Sequence, residues 1–356
     1  MAKGSILRRL TAAVIAAAVF LCAPASVFAA KSDDDTADKF YSRDGDTCIY
    51  ITQDKYLYNF KGDNPGLTIC GYVGDSGKLT IPYMINGRDV TAIQADTFVN
   101  DERITSVTMP GTLKEIGKNC FNGCPNLKEV KLRGNVNEFR EVFCGCTALE
   151  KMIFPQGVGS IIASFKDCTA LTYVRFSRSV STIDEESFKG CTALTDIEWL
   201  GNMNSLNDSF DGCTGLEEVI LPGGLIRIDG AFDGCTALRS ISFPDTLLYI
   251  TSGFSGCTAL TELTLPEKLL FVNDAFDGCK ELSKVRSSQM TTISASSFTG
   301  CPKLTIEKEK EGSLWLVLGH LAVVIVAVIT ALLVYRYLDE KAKQIGRATA
   351  QGNDIQ

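Results

Sequence analysis

Histidine is almost missing from this chain of 356 residues; the single one is His320. Without an imidazole base, most Ser-His-Asp and Cys-His hydrolase schemes cannot be assembled. A zinc site of the usual kind also lacks its parts, since there is no C-x-x-C pair and only one histidine in the whole chain. An excess of basic residues is missing too. The 35 lysines and arginines stand against 42 acidic residues, a net charge of −7, so binding to nucleic acid has no electrostatic support. Prolines number only ten, and no proline-rich stalk is present. What the chain does have is 45% hydrophobic residues, 31 glycines and 14 cysteines. That is enough apolar material for a core, and it excludes a wholly disordered or collagen-like chain.

The two ends point to a compartment. Lys3, Arg8 and Arg9 precede an apolar run from Leu10 to Cys22, and small residues end at Val27-Phe28-Ala29-Ala30. This is the layout of a cleaved secretory signal over residues 1–29, with an uncleaved anchor disfavoured by the short run. Cys22 follows Leu21 rather than a small residue, which makes it a poor lipoprotein cysteine. Residues 314–335 carry no formal charge. As a helix they span about 33 Å, enough to cross a bilayer. Trp315 and Tyr335 mark the interfaces, and Arg336, Lys341, Lys343 and Arg347 follow on the side expected to be cytoplasmic. The expectation is one C-terminal transmembrane helix with a tail at 336–356. Residues 31–313 then hold 28 basic and 39 acidic groups, net −11, and no histidine. His320 falls inside the apolar segment, where it fills a helix–helix or headgroup niche.

Between the ends the sequence keeps time. Cys124, Cys146, Cys168, Cys191, Cys213, Cys235, Cys257, Cys279 and Cys301 recur every 22 residues, apart from one step of 23. A phenylalanine stands three residues before each, from Phe121 to Phe298, and a leucine three after, from Leu127 to Leu304. Phe98, Asp101 and Ile104 form a degenerate earlier copy, which makes about ten coils. A period of this length means a solenoid, each unit burying its apolar face against its neighbours. In Leu238-Arg-Ser-Ile241-Ser-Phe243-Pro244 the apolar positions alternate with serines, the period of a short strand with one buried face. Pro244, like Pro110, Pro155, Pro222 and Pro266, ends that strand. Leu247 and Ile250 return the chain across the core, and Phe254 closes the coil. Stacked coils make a parallel β-sheet of strands about 4.8 Å apart.

The frame F-x-x-C-x-x-L, followed by the alternating strand and its proline, resembles the BspA-like family of leucine-rich repeats. Ile69-Cys70-Gly71-Tyr72, Leu79-Thr80-Ile81-Pro82, Ile85-Asn86-Gly87 and Val90-Thr91-Ala92-Ile93 are similar to that family's opening module. The resemblance covers residues from about 48 to 306. It implies a non-enzymatic surface or secreted protein, some members binding host matrix proteins, and it names no ligand. The organisation expected is a signal at 1–29, a flexible acidic lead-in at 30–47, a capping module at 48–97, and the solenoid at 98–306. A short linker at 307–313 then leads to the membrane segment. The Cys279 repeat departs from the pattern, with Ser287-Ser288 where an apolar residue and proline usually stand.

An exported chain makes disulfides the first expectation for its cysteines. The ladder argues for free, buried thiols instead. Nine equivalent positions are an odd number, and parallel rungs do not offer the approach and twist a disulfide requires. Beside the repeat phenylalanine, each is a small buried hydrophobe. Cys48 and Cys70 are different: they flank a hairpin in the opening module, where a bridge would cap the first edge. Connectivity is not readable from sequence, so bridged and free states both stay open. Cys120 and Cys144 sit off the ladder and are expected unpaired, Cys144 the more accessible.

Other motifs carry less. Gly74-Asp75-Ser76-Gly77 imitates a protease nucleophile segment, but with no histidine beside it the segment reads as a turn. Asn207-Asp208-Ser209 is a glycosylation sequon, relevant only in a eukaryotic host. Asp211, Asp233 and Asp277 recur in Phe-Asp-Gly-Cys and read as solvated turn residues, with weak calcium binding the lesser alternative. Neither a cofactor nor a metal is expected.

For partners, the outward strand row is mixed and polar: Lys131, Ile153, Arg175, Glu198, Ile220, Ser242, Thr264 and Arg286. On the return strand, Ile226, Leu248 and Leu270 share one row, and Arg227, Tyr249 and Phe271 share the next. Inward positions are already filled by Leu225/Ile228, Leu247/Ile250 and Leu269/Val272. At least one row should therefore face out. Ile226, Leu248, Tyr249, Leu270 and Phe271 form a candidate apolar stripe for a protein ligand or for self-association, with core filling as the alternative. The reading that results is a membrane-anchored, extracytoplasmic protein-binding module of the cell envelope. The alternatives are a surface adhesin for host or matrix proteins and, less well supported, an exported enzyme.

Overall fold

The computed structural model describes residues 48–60, 66–184 and 186–309, together with two further backbone strands, Val27–Ala29 and Lys39–Ser42. Val27–Ala29 apart, the expected signal peptide lies outside these residues, as do the linker beyond Glu309, the membrane segment and the tail. Among the described residues no helix is long and apolar enough to cross a membrane.

Alternating apolar and polar residues build two rows of short strands, and every coil contributes one strand to each row. The front row begins as a parallel six-stranded sheet of Lys78–Thr80, Ser106–Met109, Glu129–Leu132, Lys151–Ile153, Tyr173–Phe176 and Asp196–Trp199. It continues as the pair Glu218–Ile220 and Ser240–Ser242, then as Glu262–Thr264, Lys284–Ser288 and Thr305–Glu309. In Ser106–Met109, Val107 and Met109 are buried and their neighbours are half-exposed, as the period of two demands. The return row runs from Glu115–Ile116 through Glu138–Arg140, Ser160–Ile162, Thr182–Asp184, Ser205–Asn207, Arg227–Asp229, Tyr249–Thr251 and Phe271–Asn273 to Thr292–Ile293.

The repeat phenylalanines fill the third corner of each coil. Phe98, Phe121, Phe143, Phe165, Phe188, Phe210, Phe232, Phe254, Phe276 and Phe298 form one continuous stack, successive ring centroids lying between 4.9 and 5.5 Å apart. That spacing is set by the strand repeat, and each aromatic contact adds about 0.5–1.5 kcal/mol to the burial itself. The residue before each ladder cysteine turns the chain; it is glycine in every copy except Asp167, which takes φ 58°. Gly256, for example, has φ +73°, a conformation that suits a residue without a Cβ.

Coil length decides where the return row is hydrogen-bonded. Phe121 follows the inward residue Ile116 by five positions and Phe188 follows Ile183 by five. In the coils that come next, Phe143 follows Phe139 and Phe210 follows Leu206 by four. The sheet stops at those two junctions, between Glu115–Ile116 and Glu138–Arg140 and between Thr182–Asp184 and Ser205–Asn207. A coil one residue longer offsets its strand from the shorter coil that follows, so the backbone ladder no longer aligns. The single 23-residue cysteine step, Cys168 to Cys191, is the longer coil that precedes the second of these junctions.

The opening module caps the first edge. Cys48–Ile51, Tyr56–Phe60 and Leu67–Tyr72 are antiparallel neighbours, and Leu67–Tyr72 then pairs in parallel with Arg88–Ile93. Asn86 (φ 50°) and Gly87 (φ 77°) make the tight turn between Met84–Ile85 and Arg88–Ile93. Lys39–Ser42, within the stretch expected as a lead-in, adds a strand to Cys48–Ile51. The bridge weighed between Cys48 and Cys70 is not formed, because Cys70 is a free thiol. Strand Tyr56–Phe60 lies between the two cysteine-bearing strands. Two strand spacings amount to about 9.6 Å, beyond the reach of a disulfide.

Candidate protein-interaction surfaces

A column of cysteines runs the length of the solenoid, and two shorter columns of polar side chains flank it. The cysteine column is structural. Cys124, Cys146, Cys168, Cys191, Cys213, Cys235, Cys257 and Cys279 are fully buried, and Cys301 in the last coil is half-buried. Each thiol donates to the carbonyl of the phenylalanine in the preceding coil, from Cys124 Sγ to Phe98 O at 3.0 Å to Cys257 Sγ to Phe232 O at 3.4 Å. Burial pushes the Cys191 and Cys235 thiols up to about 12, so no thiolate is available at neutral pH. Sequence reasoning found the column and its burial but not this hydrogen bond. The visible signal was the fixed offset from phenylalanine.

The position before phenylalanine forms a second column. Ser187 Oγ donates to Ile161 O at 2.9 Å, Ser209 Oγ to Ile183 O at 3.0 Å and Ser297 Oγ to Val272 O at 3.0 Å. Cys120, placed off the ladder by sequence, belongs to this buried column. Cys144 is half-buried and donates to Ala163 O at 2.7 Å. Burial pushes its thiol up to about 11.

The third column is acidic. Asp211 is not the solvated turn residue the sequence suggested: its side chain is only 19% exposed and its Oδ1 is buried without a partner. Burial, then repulsion from Asp233, raises its carboxyl to about 6, with Lys189 Nζ at 4.0 Å opposing. Asp233 is raised by burial, while its Oδ1 accepts from Ser255 N at 2.8 Å. Among the described residues no cluster of histidine, cysteine and carboxylate side chains is placed to hold a metal ion.

The protease-like segment is a turn, as the sequence indicates. Ser76 Oγ accepts from Lys78 N at 3.1 Å and donates to Lys78 O at 3.2 Å, a local exchange with no base beside it. A cavity of about 500 Å³ opens between the cap and the first coil, lined by Cys70, Tyr72, Asp96, Asp101 and Arg103. Its one arginine is already held, with Nη2 at 2.6 Å from Asp101 Oδ2 and Nη1 at 3.2 Å from Gly74 O.

The return face separates the two apolar rows. Arg227, Tyr249 and Phe271 are register partners and point outward, Phe271 being 43% exposed. The Tyr249 and Phe271 rings stack on the surface, 5.9 Å apart and within 4° of parallel. The other row sinks as it proceeds: Ile226 is 40% exposed, Leu248 half-buried and Leu270 only 4% exposed. Leu270 therefore leaves the candidate stripe and counts among the buried residues. Leu225, Ile228, Leu247, Ile250, Leu269 and Val272 are all buried, as expected.

On the front face the outward row is mainly polar, with two exposed isoleucines, Ile153 and Ile220. Several cross-strand ion pairs lie along this face, among them Lys284 Nζ to Glu307 Oε1 at 2.8 Å and Arg175 Nε to Glu198 Oε1 at 3.7 Å. Such exposed pairs contribute little stability, but they mark this face as solvated.

Comparison with known proteins places these features. Residues 91–214, 139–247 and 206–307 match the model of the BspA type leucine rich repeat region. A leucine-rich repeat protein of Bacteroides ovatus shares the fold with 24% identity and a TM-score of 0.62, covering 73% of this chain and 71% of its own. A leucine rich repeat protein of T. pallidum aligns at 23% identity over 59% of this chain and 89% of its own, with a TM-score of 0.45. The pneumococcal vaccine antigen PcpA aligns at 16% identity over 74% of this chain and 88% of its own, with a TM-score of 0.37. No curated protein matches the chain.

Proposed function

This chain belongs to the BspA-type leucine-rich-repeat family, and we propose that it is a non-enzymatic protein-binding module, held at a membrane with its solenoid outside the cytoplasm. The observation that carries the reading is the surface aromatic pair on the return face, Phe271 exposed and Tyr249 half-buried. Tyr249 and Phe271 stack on each other outside a core that is already filled beneath them by Ile250 and Val272. Nothing inside the coil requires large apolar groups at these positions, and the equivalent residues of neighbouring coils are Arg227 and Thr292. Adjacent exposed aromatics are a common anchor of protein interfaces.

The membrane tether is supported by the uncharged run at 314–335 and the basic residues after it. The last strand ends at Glu309, which leaves residues 310–313 before that run. So short a connection favours partners within the envelope over partners at a host surface.

A photo-crosslinking residue placed at Phe271 in the full-length tagged chain, in its own membranes, tests the reading. A discrete adduct that is lost in Tyr249→Asp supports it. Adduct formation only with lipid, or at the same rate from a site at Lys131 on the front face, overturns the assignment of this surface.

A further inference from the structure

The front row is interrupted where Asp196–Trp199 should pair with Glu218–Ile220. No backbone hydrogen bond joins the two strands, and almost all Cα pairs across the gap lie more than 8 Å apart, against about 4.8 Å in a paired sheet. The coils remain joined behind it. Phe188 and Phe210 stack at 5.1 Å, and Phe188 N donates to Ser209 O at 2.8 Å. The gap is thus a wedge, closed at the phenylalanine column and open at the front. Gly215 holds the closed side: a Cβ there would come within 2.7 Å of Thr192 O and 2.9 Å of Leu194 O.

The wedge exposes what other coils hide. Met152, Phe154, Val174 and Phe176, the inward residues of the two preceding front strands, are buried. Their counterparts at the seam, Ile197 and Trp199, are only partly buried. The Trp199 indole Nε1–H is shielded from water and has no acceptor. Leu200 (39% exposed) and Ile220 (65%) flank the opening. Four carboxylates rim it, Asp196, Glu198, Glu217 and Glu218, and among the described residues only Glu198 has a cationic partner, Arg175.

We propose that this seam is a docking site for an extended peptide segment carrying lysine or arginine next to apolar side chains. The inference rests on the reading of the chain as a protein-binding module, but not on the return-face stripe. Two unpaired strand edges offer backbone hydrogen bonds to an added strand, and Ile197, Trp199, Leu200 and Ile220 offer it apolar contacts. The rim selects the charge: a basic partner gains from Asp196, Glu217 and Glu218, whose carboxylates have no cationic partner among the described residues, and an acidic one is repelled. A carbonyl of the bound strand supplies the acceptor that the Trp199 N–H lacks. A second interruption, between Ser240–Ser242 and Glu262–Thr264, is narrower and is rimmed by both signs, with Arg239 and Arg286 beside Asp245, Glu262 and Glu267. It therefore makes no such selection.

The test titrates the fluorescently labelled peptide Lys-Val-Phe-Lys-Ile-Lys into the purified full-length chain and reads polarisation. Saturable binding is expected, weakened at least about tenfold by Asp196→Lys with Glu218→Lys, and by Ile220→Glu, with circular dichroism unchanged. Glu129→Lys with Glu150→Lys, on the same face but away from the seam, should leave affinity within about twofold. A peptide N-methylated at alternate backbone positions should bind at least about tenfold more weakly. Equal affinity for the seam and control variants, or for the peptide with glutamate in place of lysine, overturns the proposal. Absence of peptide binding alongside a Phe271 adduct overturns the seam and leaves the protein-binding reading intact.

Discussion

The thiol of Cys213 donates to the carbonyl oxygen of Phe188 one coil back, at 3.2 Å. The carbonyl belongs to the same phenylalanine column whose rings stack through the core, so Phe188 ties adjacent coils both by accepting from Cys213 and by stacking on Phe210. This relationship gives the cysteine column its purpose and has measurable consequences.

Cys213→Ala removes both the donor and the sulfur from a fully buried site. A loss of roughly 1–2 kcal/mol is expected, combining a small cavity with the loss of one of two hydrogen bonds to the Phe188 carbonyl, which still accepts from Cys191 N at 3.1 Å. Cys213→Ser keeps a donor in a smaller side chain and should cost about half as much. Urea unfolding followed by circular dichroism distinguishes the two; a serine variant as unstable as the alanine one would show that volume, and not the hydrogen bond, dominates.

Thiol labelling should divide the cysteines by position. Cys144 is half-buried with its thiol raised to about 11, whereas Cys146, two residues on, is fully buried and raised further, chiefly by burial. In the native protein at pH 8, mass spectrometry should find maleimide on Cys144 well before Cys146, and on both only in denaturant. Equal native labelling would mean that the coils open locally at this point.

Asp211 should make stability depend on pH. Its folded carboxyl is raised to about 6 by burial and by Asp233, so folding favours the protonated form. The stabilising contribution is complete below the ordinary carboxylate range and is lost as pH rises through about 6. Asp211→Asn should therefore stabilise the protein at pH 8, by roughly 1 kcal/mol after allowance for solvent screening, and have little effect at pH 4. The difference in unfolding midpoint between the two pH values is the measurement.

Leu270 and Phe271 are neighbours in sequence with opposite environments, 4% and 43% exposed. Leu270→Asp places a carboxylate in the core and should cost roughly 4 kcal/mol or more. Phe271→Asp loses only its stacking on Tyr249 and should cost about 1 kcal/mol at most. Similar losses from both would place the whole stripe in the core and remove the basis for the return-face surface.

The fold was legible because the constraint is periodic. A phenylalanine, a cysteine and a leucine at fixed offsets, with alternation behind them, leave a stacked coil as the way to bury all nine copies. The inward set Leu225/Ile228, Leu247/Ile250 and Leu269/Val272 followed from the same alternation. The free ladder cysteines were legible too, because parallel rungs have no geometry for bridging. Cys48 and Cys70 were not, since the sequence does not reveal that Tyr56–Phe60 runs between them.

Sequence by itself therefore determined the repeat, its core and the scarcity of histidine, all properties of residue type and spacing. Tertiary structure decided which near-equivalent positions reach water. Leu270 and Ile226 hold the same place in their repeats, yet one is buried and the other exposed, because exposure depends on what the neighbouring coils place over each position and not on residue type. The front seam is likewise decided by how coils stack: the strands part between Asp196–Trp199 and Glu218–Ile220 while the phenylalanine column behind them stays closed.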